Sequence, residues 1–432
     1  MLKESKFNVC ITSSNEFCIA NTLTGAVVKI DKRIFDSIKK NDFAEISVSE
    51  FNTLQNEGFL IDADLDEIAL LRHSYTNCKA DKTISHITIC TTLECNFACP
   101  YCYETRKLGS MDIDVQDNVI SFIESILNDG VKKIAVTWYG GEPLLYPTIV
   151  LSLSLRIRNI CEIFQAEYSC TMITNGYLIN ENVIELFEEI GLSAVQITID
   201  GDKNIHNSRR KLTNGEGTFD TIINNVKLIP NSISVIIRVN IDRSNQEAFY
   251  FVNHLFENQQ NIYTYPASVT IEKTQSEHQR CICFSHEDYH EFYGKSGHFD
   301  MLSNIAEKMI GVGVFSCSAE SKYGFVIDPR GYVYKCINDI SNPKFAINRL
   351  SGAPISKITA VSKYLGRDPF TEVECSNCAY LPVCYGGCVW AYLDKGTHSC
   401  RPEKFLFEKI IRNKYLKGGE TYGNIATGDI KT

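Results

Sequence analysis

The chain has 432 residues, 44% of them hydrophobic and 22% charged, with a net charge of −9. That length exceeds one ordinary core and predicts two or three packed units, while the near-average composition excludes a disordered or fibrous chain. The acidic balance excludes a general basic field that grips nucleic acid or an anionic membrane, so no nucleic-acid partner is expected.

No run approaches the roughly 18 to 20 apolar residues that span a bilayer, and the start, MLKESKFNVC, lacks the apolar core of a signal peptide. A cytoplasmic protein with no membrane partner is expected. That compartment keeps thiols reduced, so the 18 cysteines are better read as metal ligands than as disulfides.

In chain order, residues 1–80 read as a small module: extended FNVCIT, EFCIANT and AVVKI, helical RIFDSIKK and SEFNTLQNEGF, a short FLID and helical LDEIALLRHSY. Three short strands followed by helices predict a winged-helix-like unit, either a packing appendage or a site that binds a partner by strand addition.

From about residue 84 the rhythm becomes strand, loop, helix. ISHITIC, KKIAVTWYGG, YSCTMITNG, SAVQITIDG, SVIIRVNID and ASVTIEK are the expected strands. Repeated β-then-α units with apolar strands predict a parallel sheet clothed by helices, here a partial (β/α)6 TIM-like barrel over residues 81–311. Parallel sheets build ligand sites from the loops after the strands' carboxyl ends. Those ends carry Cys95, Cys99 and Cys102, then Gly140-Gly141-Glu142-Pro143, Thr174-Asn175, Thr198 with Asp200, and Arg238-Val239-Asn240, all expected to face one mouth. Residues 312–416 are loop-rich and dense in cysteine, and 417–432 read as a flexible tail.

Cys95, Cys99 and Cys102 are spaced C-x3-C-x2-C on one loop after a strand. Three thiolates can hold three irons of a cubane and leave the fourth open, whereas structural zinc takes closed sets of four. Cys90, in the strand itself, reads as core.

The triple, with an aromatic before its last cysteine, resembles the signature of radical S-adenosylmethionine (SAM) enzymes, and the later strand ends resemble that family too. The resemblance implies that SAM chelates the open iron of a [4Fe–4S] cluster and is cleaved to a 5′-deoxyadenosyl radical. It also implies a SAM-binding set: Gly140, Gly141, Glu142 and Pro143 around the methionine ammonium, Thr174, Asn175, Thr198 and Asp200 near ribose and carboxylate, and Tyr101 at the adenine. Arg209 resembles a position that reaches the carboxylate, with Arg238 competing for that role.

Further on, Cys317-x13-Gly331-x4-Cys336, then Cys375-x2-Cys378-x5-Cys384-x3-Cys388, then Cys400 resemble the seven cysteines of a SPASM extension. That resemblance implies a C-terminal loop-rich iron–sulfur domain and three [4Fe–4S] clusters in all. Cys375, Cys378, Cys384 and Cys400 would ligate one auxiliary cluster, and Cys317, Cys336 and Cys388 the other, one ligand short. A zinc ribbon is the alternative for the C-x2-C element. The missing ligand could come from Cys281 or Cys283, or from a substrate thiolate.

These resemblances imply a peptide maturase that installs cysteine thioethers in a ribosomally made precursor carrying a leader, with a flavodoxin or ferredoxin as electron donor and an anaerobic setting. Anaerobic sulfatase maturases are the nearest alternative. They place a catalytic aspartate directly after the cysteine matching Cys336, where this chain has Ile337-Asn338-Asp339. Carbon–carbon cross-linking, epimerisation and a non-catalytic iron–sulfur protein remain open. Asp339, Tyr323 and Glu320 lie close in sequence to auxiliary cysteines, and none is assigned as general base.

Overall fold

The structure, a computed structural model, describes residues 2–13, 16–104, 109–269, 282–284, 317–351, 358–396, 400 and 402–416. Cys281 lies outside them. The described residues form two compact units: one gathers those up to 78 with those from 368, the other those from 79 to 284 with those from 317 to 367.

The first unit begins with β1 (Leu2–Glu4), β2 (Asn8–Ser13), β3 (Glu16–Asn21), β4 (Val27–Ile30), α1 (Lys32–Lys40), α2 (Val48–Asn56), β5 (Leu60–Asp62) and α3 (Glu67–Lys79). Strands β2, β3 and β4 form an antiparallel sheet, and β1 pairs antiparallel with β5. The helices start where side chains can take up orphaned backbone donors: Asp31 accepts from Ile34 N, and Ser47 and Glu50 form a reciprocal capping box. Ile34 and Ile38 of α1, Leu54 of α2 and Ile19 of β3 meet Phe59 and Leu60 in one core. The late residues close over a second face, where Phe370, Leu381 and Tyr385 pack with Phe7, Leu71 and Tyr75. The helix Pro402–Tyr415 sets Phe407 and Ile411 against Val9 and Ile11 of β2.

The second unit is built on β6 (Ser85–Thr92), α4 (Ile113–Asn128), β7 (Lys133–Gly140), α5 (Pro147–Ile163), β8 (Glu167–Thr174), α6 (Glu181–Glu189), β9 (Leu192–Thr198), α7 (Lys203–Arg209), α8 (Phe219–Val226), β10 (Ser234–Ile241), α9 (Ala248–Phe256) and β11 (Ile262–Ser268). The six strands pair in parallel in chain order, each with the next. The sheet then continues beyond β6. β12 (Gly324–Ile327) joins it in parallel, and β13 (Tyr332–Tyr334) and β14 (Asn348–Arg349) follow antiparallel, giving nine strands. Of the span 312–416, β12 to β14 lie in the sheet of the second unit, while the described residues from 368 belong to the first.

Burial along β7 alternates, with Ile134, Val136 and Trp138 fully enclosed and Thr137 and Tyr139 only half-buried. One face meets the helices and the other a cavity, so the apolar run is interrupted by polar residues that point inward. No helix among the described residues is long and apolar enough to cross a membrane.

Candidate active site

A cavity of about 290 Å³ opens at the carboxyl ends of the parallel strands. Cys95, Cys99 and Cys102, from the loop after β6, all line it, and all three are partly exposed. Phe97 N donates to Cys95 Sγ at 3.4 Å, and Asn175 Nδ2 stands 3.9 Å from the same sulfur while donating to Asn96 Oδ1 at 2.7 Å. Burial pushes the Cys95 thiol up to about 12, and a bound metal reverses that logic by stabilising the thiolate.

The paired glycines are required by the chain itself. A Cβ on Gly140, whose φ is +128°, would lie 2.1 Å from Thr92 O, and one on Gly141 would lie 2.2 Å from Glu94 O. Gly141 N donates to Thr92 O at 3.1 Å and Glu142 N to Glu94 O at 2.9 Å. The end of β7 is thus pressed against the backbone that leads into the cysteine loop, an approach only glycine allows. Both glycines also line the cavity.

Behind this wall two buried carboxylates act as braces. Glu142 accepts from Thr174 Oγ1 at 2.7 Å, Asn175 N at 2.7 Å and Leu144 N at 3.0 Å; burial raises its pKa despite those donors. Asp200 accepts from Tyr101 OH at 2.6 Å, Arg209 Nε at 3.1 Å and Asn240 N at 3.2 Å. Burial opposes its charge, yet Arg209, Arg210 and the Tyr101 hydroxyl hold its carboxyl below the ordinary carboxylate value. His206 Nδ1 accepts from Asp200 N at 3.3 Å, and burial lowers its pKa to about 3, so it is neutral.

Of the expected SAM contacts, Tyr101, Gly140, Gly141, Thr174, Asn175 and Thr198 line the cavity, while Glu142, Pro143, Asp200 and Arg209 stand behind it. Arg209 is consumed by Asp200 and by Asp242, whose Oδ2 is 2.5 Å from its Nη1. Arg210, its neighbour, lines the cavity instead, donating from Nη1 to Tyr101 OH at 2.8 Å with its guanidinium 5.4 Å over the Phe97 ring. The sequence offers two adjacent arginines. Because α7 ends at Arg209, residue 210 leaves the helical path with φ −131° and turns the other way. Asn240, expected with Arg238 at the strand ends, lines the cavity, and so does Gln196, which was not singled out.

Beyond the cysteines the wall is completed by Arg238, Ile337 and Asn338. Asp339 is turned away and accepts from Tyr364 OH at 2.6 Å, Glu320 is buried outside the cavity, and Tyr323 OH is bound to Asp129. Cys336 follows β13 and Cys317 precedes a turn in the same unit, whereas Cys375, Cys378, Cys384, Cys388 and Cys400 belong to the other. Lys404 Nζ donates to Cys400 Sγ at 3.8 Å. Although burial opposes its charge, Cys378, Cys400 and Cys384 hold it above the ordinary lysine value.

Among the described residues no three His, Cys, Asp or Glu side chains are already gathered around one metal position. The chemistry of the first set nevertheless fits an iron–sulfur cluster: three soft donors on one loop line a single cavity.

Residues 89–249 match the Radical SAM superfamily. Over 96% of both chains the protein is 22% identical to the radical SAM cyclopropyl synthase TigE of Paramaledivibacter caminithermalis. It is 23% identical to the cysteine-type anaerobic sulfatase-maturating enzyme of Clostridium novyi, over 76% of this chain and 96% of that one. A solved structure of native anSMEcpe with bound AdoMet and Cp18Cys peptide superposes with a TM-score of 0.58 at 18% identity, covering 76% of this chain and 96% of the other, a likeness of fold. The cysteine triple, the strand-end cavity and these likenesses converge: residues 89–249 are a radical SAM domain, and the chain is a radical SAM superfamily enzyme, a family that implies a [4Fe–4S] cluster and SAM.

Proposed function

We propose that this enzyme is a maturase of a ribosomally made precursor peptide, acting by hydrogen abstraction from a residue held at the strand-end cavity. The observation that carries the reading is the mixed lining of that cavity: Cys95, Cys99 and Cys102 together with Gln196, Arg238, Asn240 and Asn338. The last four supply amide and guanidinium groups of the kind that hold an extended peptide backbone. Relatives whose names denote sulfatase maturation, and a structural neighbour holding a peptide, support a peptide or protein substrate.

When bound, a [4Fe–4S] cluster on Cys95, Cys99 and Cys102, together with SAM, supplies a 5′-deoxyadenosyl radical. The chain's own residues position and enclose. Thr174, Asn175, Thr198 and Arg210 offer polar contacts to SAM, and Gly140 and Gly141 leave backbone open to it. The Tyr101–Asp200–Arg209 network fixes the cysteine loop against β9 and β10. Leu93, Ile173 and Val269 exclude water from the reacting centre.

The product we favour is a cysteine thioether. The seven later cysteines support two auxiliary clusters, one of them open to a substrate thiolate. Formylglycine formation is disfavoured, because Ile337 and Asn338 face the cavity while Asp339 is held by Tyr364. A second reading, carbon–carbon ring closure without a cysteine, is favoured by the end-to-end likeness to a cyclopropyl synthase. Residues 1–80, as a winged-helix-like module, would recognise the leader, and a flavodoxin or ferredoxin in an anaerobic cytoplasm would deliver the electron.

The test is anaerobic reaction of reduced enzyme, SAM and a cysteine-containing precursor peptide, followed by mass spectrometry before and after thiol alkylation. Loss of two hydrogens with loss of one alkylatable thiol supports the thioether. The same mass loss with every thiol still alkylatable supports ring closure. An unchanged peptide beside continued 5′-deoxyadenosine release refutes that peptide as substrate.

A further inference from the structure

Arg238 is the cavity cation that the SAM contacts leave over. Its Nε donates to Asn240 Oδ1 at 2.8 Å, and its guanidinium carbon stands 6.0 Å over the Tyr265 ring, whose hydroxyl donates to Gln196 Oε1 at 2.8 Å. The guanidinium plane is therefore fixed from two directions. Its two terminal nitrogens meet no hydrogen-bond acceptor among the described residues, although the side chain lines the cavity. A preorganised fork of this kind matches a carboxylate.

Two other charges compete for that role. Arg210 lies on the cysteine side, where Cys99 and Cys95 feel its charge, so the anionic end of SAM already has a cation beside the thiols. Glu104 lines the same cavity, but its partner is the Tyr139 hydroxyl, which is also 2.8 Å from Tyr103 OH.

We propose that Arg238 is a carboxylate-binding subsite for the substrate, so that the peptide residue at or beside the site of hydrogen abstraction carries an acidic side chain or the free C-terminal carboxylate. This deepens the peptide-maturase reading and rests on it. It assigns the substrate a negative charge next to the reacting residue.

The test uses the anaerobically reconstituted holoenzyme with SAM and three tripeptide probes, read by saturation-transfer NMR and calorimetry. One probe has Glu between two alanines with both ends capped, one has Gln there with both ends capped, and one has Gln with a free carboxyl end. The expected result is binding of one carboxylate-bearing probe at least about tenfold tighter than the capped Gln probe, a preference abolished in Arg238→Gln and largely kept in Arg238→Lys. Whichever carboxylate probe binds identifies the source. Equal binding of all three overturns the subsite and leaves the peptide reading standing, whereas no binding by any probe overturns both. Loss of SAM binding in Arg238→Gln, with probe binding intact, also overturns the proposal and assigns the cation to SAM.

Discussion

Replacing Asp200 by Asn tests whether the cavity is held from behind. The Asp200 carboxylate is fully enclosed and accepts from Tyr101 OH, Arg209 Nε and Asn240 N. An amide of the same shape keeps one acceptor oxygen, loses the charge and turns an NH2 toward donors. Breaking a buried ion pair costs about 3–5 kcal/mol when the partner is stranded. Arg209 keeps Asp242, so the lower end applies, about 3 kcal/mol. Because the carboxyl is held below its ordinary value of 3.8, its contribution is fully present above that value and is lost as pH falls through the depressed one. The variant should therefore be weaker than the parent at pH 7, with the gap closing only in strong acid. Urea unfolding of the holoenzyme at several pH values, with SAM binding measured alongside, reads both effects. A loss under about 1 kcal/mol with SAM affinity unchanged would refute the brace.

Gly141→Ala should leave the fold largely intact but lower iron incorporation at the first cysteine set, since its Cβ would lie 2.2 Å from Glu94 O; iron and sulfide analysis after reconstitution checks this. Arg210→Ala should weaken SAM binding about tenfold, in line with a charge-assisted contact. Arg209→Ala should act first on stability, by about 3 kcal/mol or more, because it strands Asp200 and Asp242; calorimetry and urea unfolding separate the two arginines. His206 has a pKa of about 3 against an ordinary 6.5, so its neutrality costs nothing above pH 6.5 and stability falls as pH drops from there toward 3. His206→Gln should flatten that part of the acid-unfolding curve.

Much of the strand–helix rhythm from residue 84 was legible because β7 to β10 are apolar runs closed by Gly, Asn or Asp, and α4, α6 and α7 start at the side-chain caps Asp112, Asn180 and Asp202; the sixth strand, expected from Ala267, instead runs over Ile262–Ser268. The three strands added beside β6 were not legible. β13 and β14 are three and two residues long, too short for any period to show, and they pair onto β12, which takes the edge of β6. In the site the cysteines and glycines were readable from spacing. The division of labour between Arg209 and Arg210 was not, since it depends on where α7 stops and on Asp242 arriving from beyond β10. Glu142 and Asp200 were read as ligand contacts because a carboxylate at a strand end looks the same in sequence whether it faces the cavity or braces its wall.

The central claim, a peptide whose hydrogen is abstracted at this cavity, is tested most directly by following that hydrogen. Reduced, reconstituted enzyme is incubated without air with SAM and a precursor peptide deuterated at its carbon positions, and the 5′-deoxyadenosine is examined by mass spectrometry. Deuterium transferred from peptide to 5′-deoxyadenosine, and lost when Cys95, Cys99 and Cys102 are replaced by alanine, is the predicted result. Release of 5′-deoxyadenosine that carries no deuterium, from a peptide shown to bind, would contradict it.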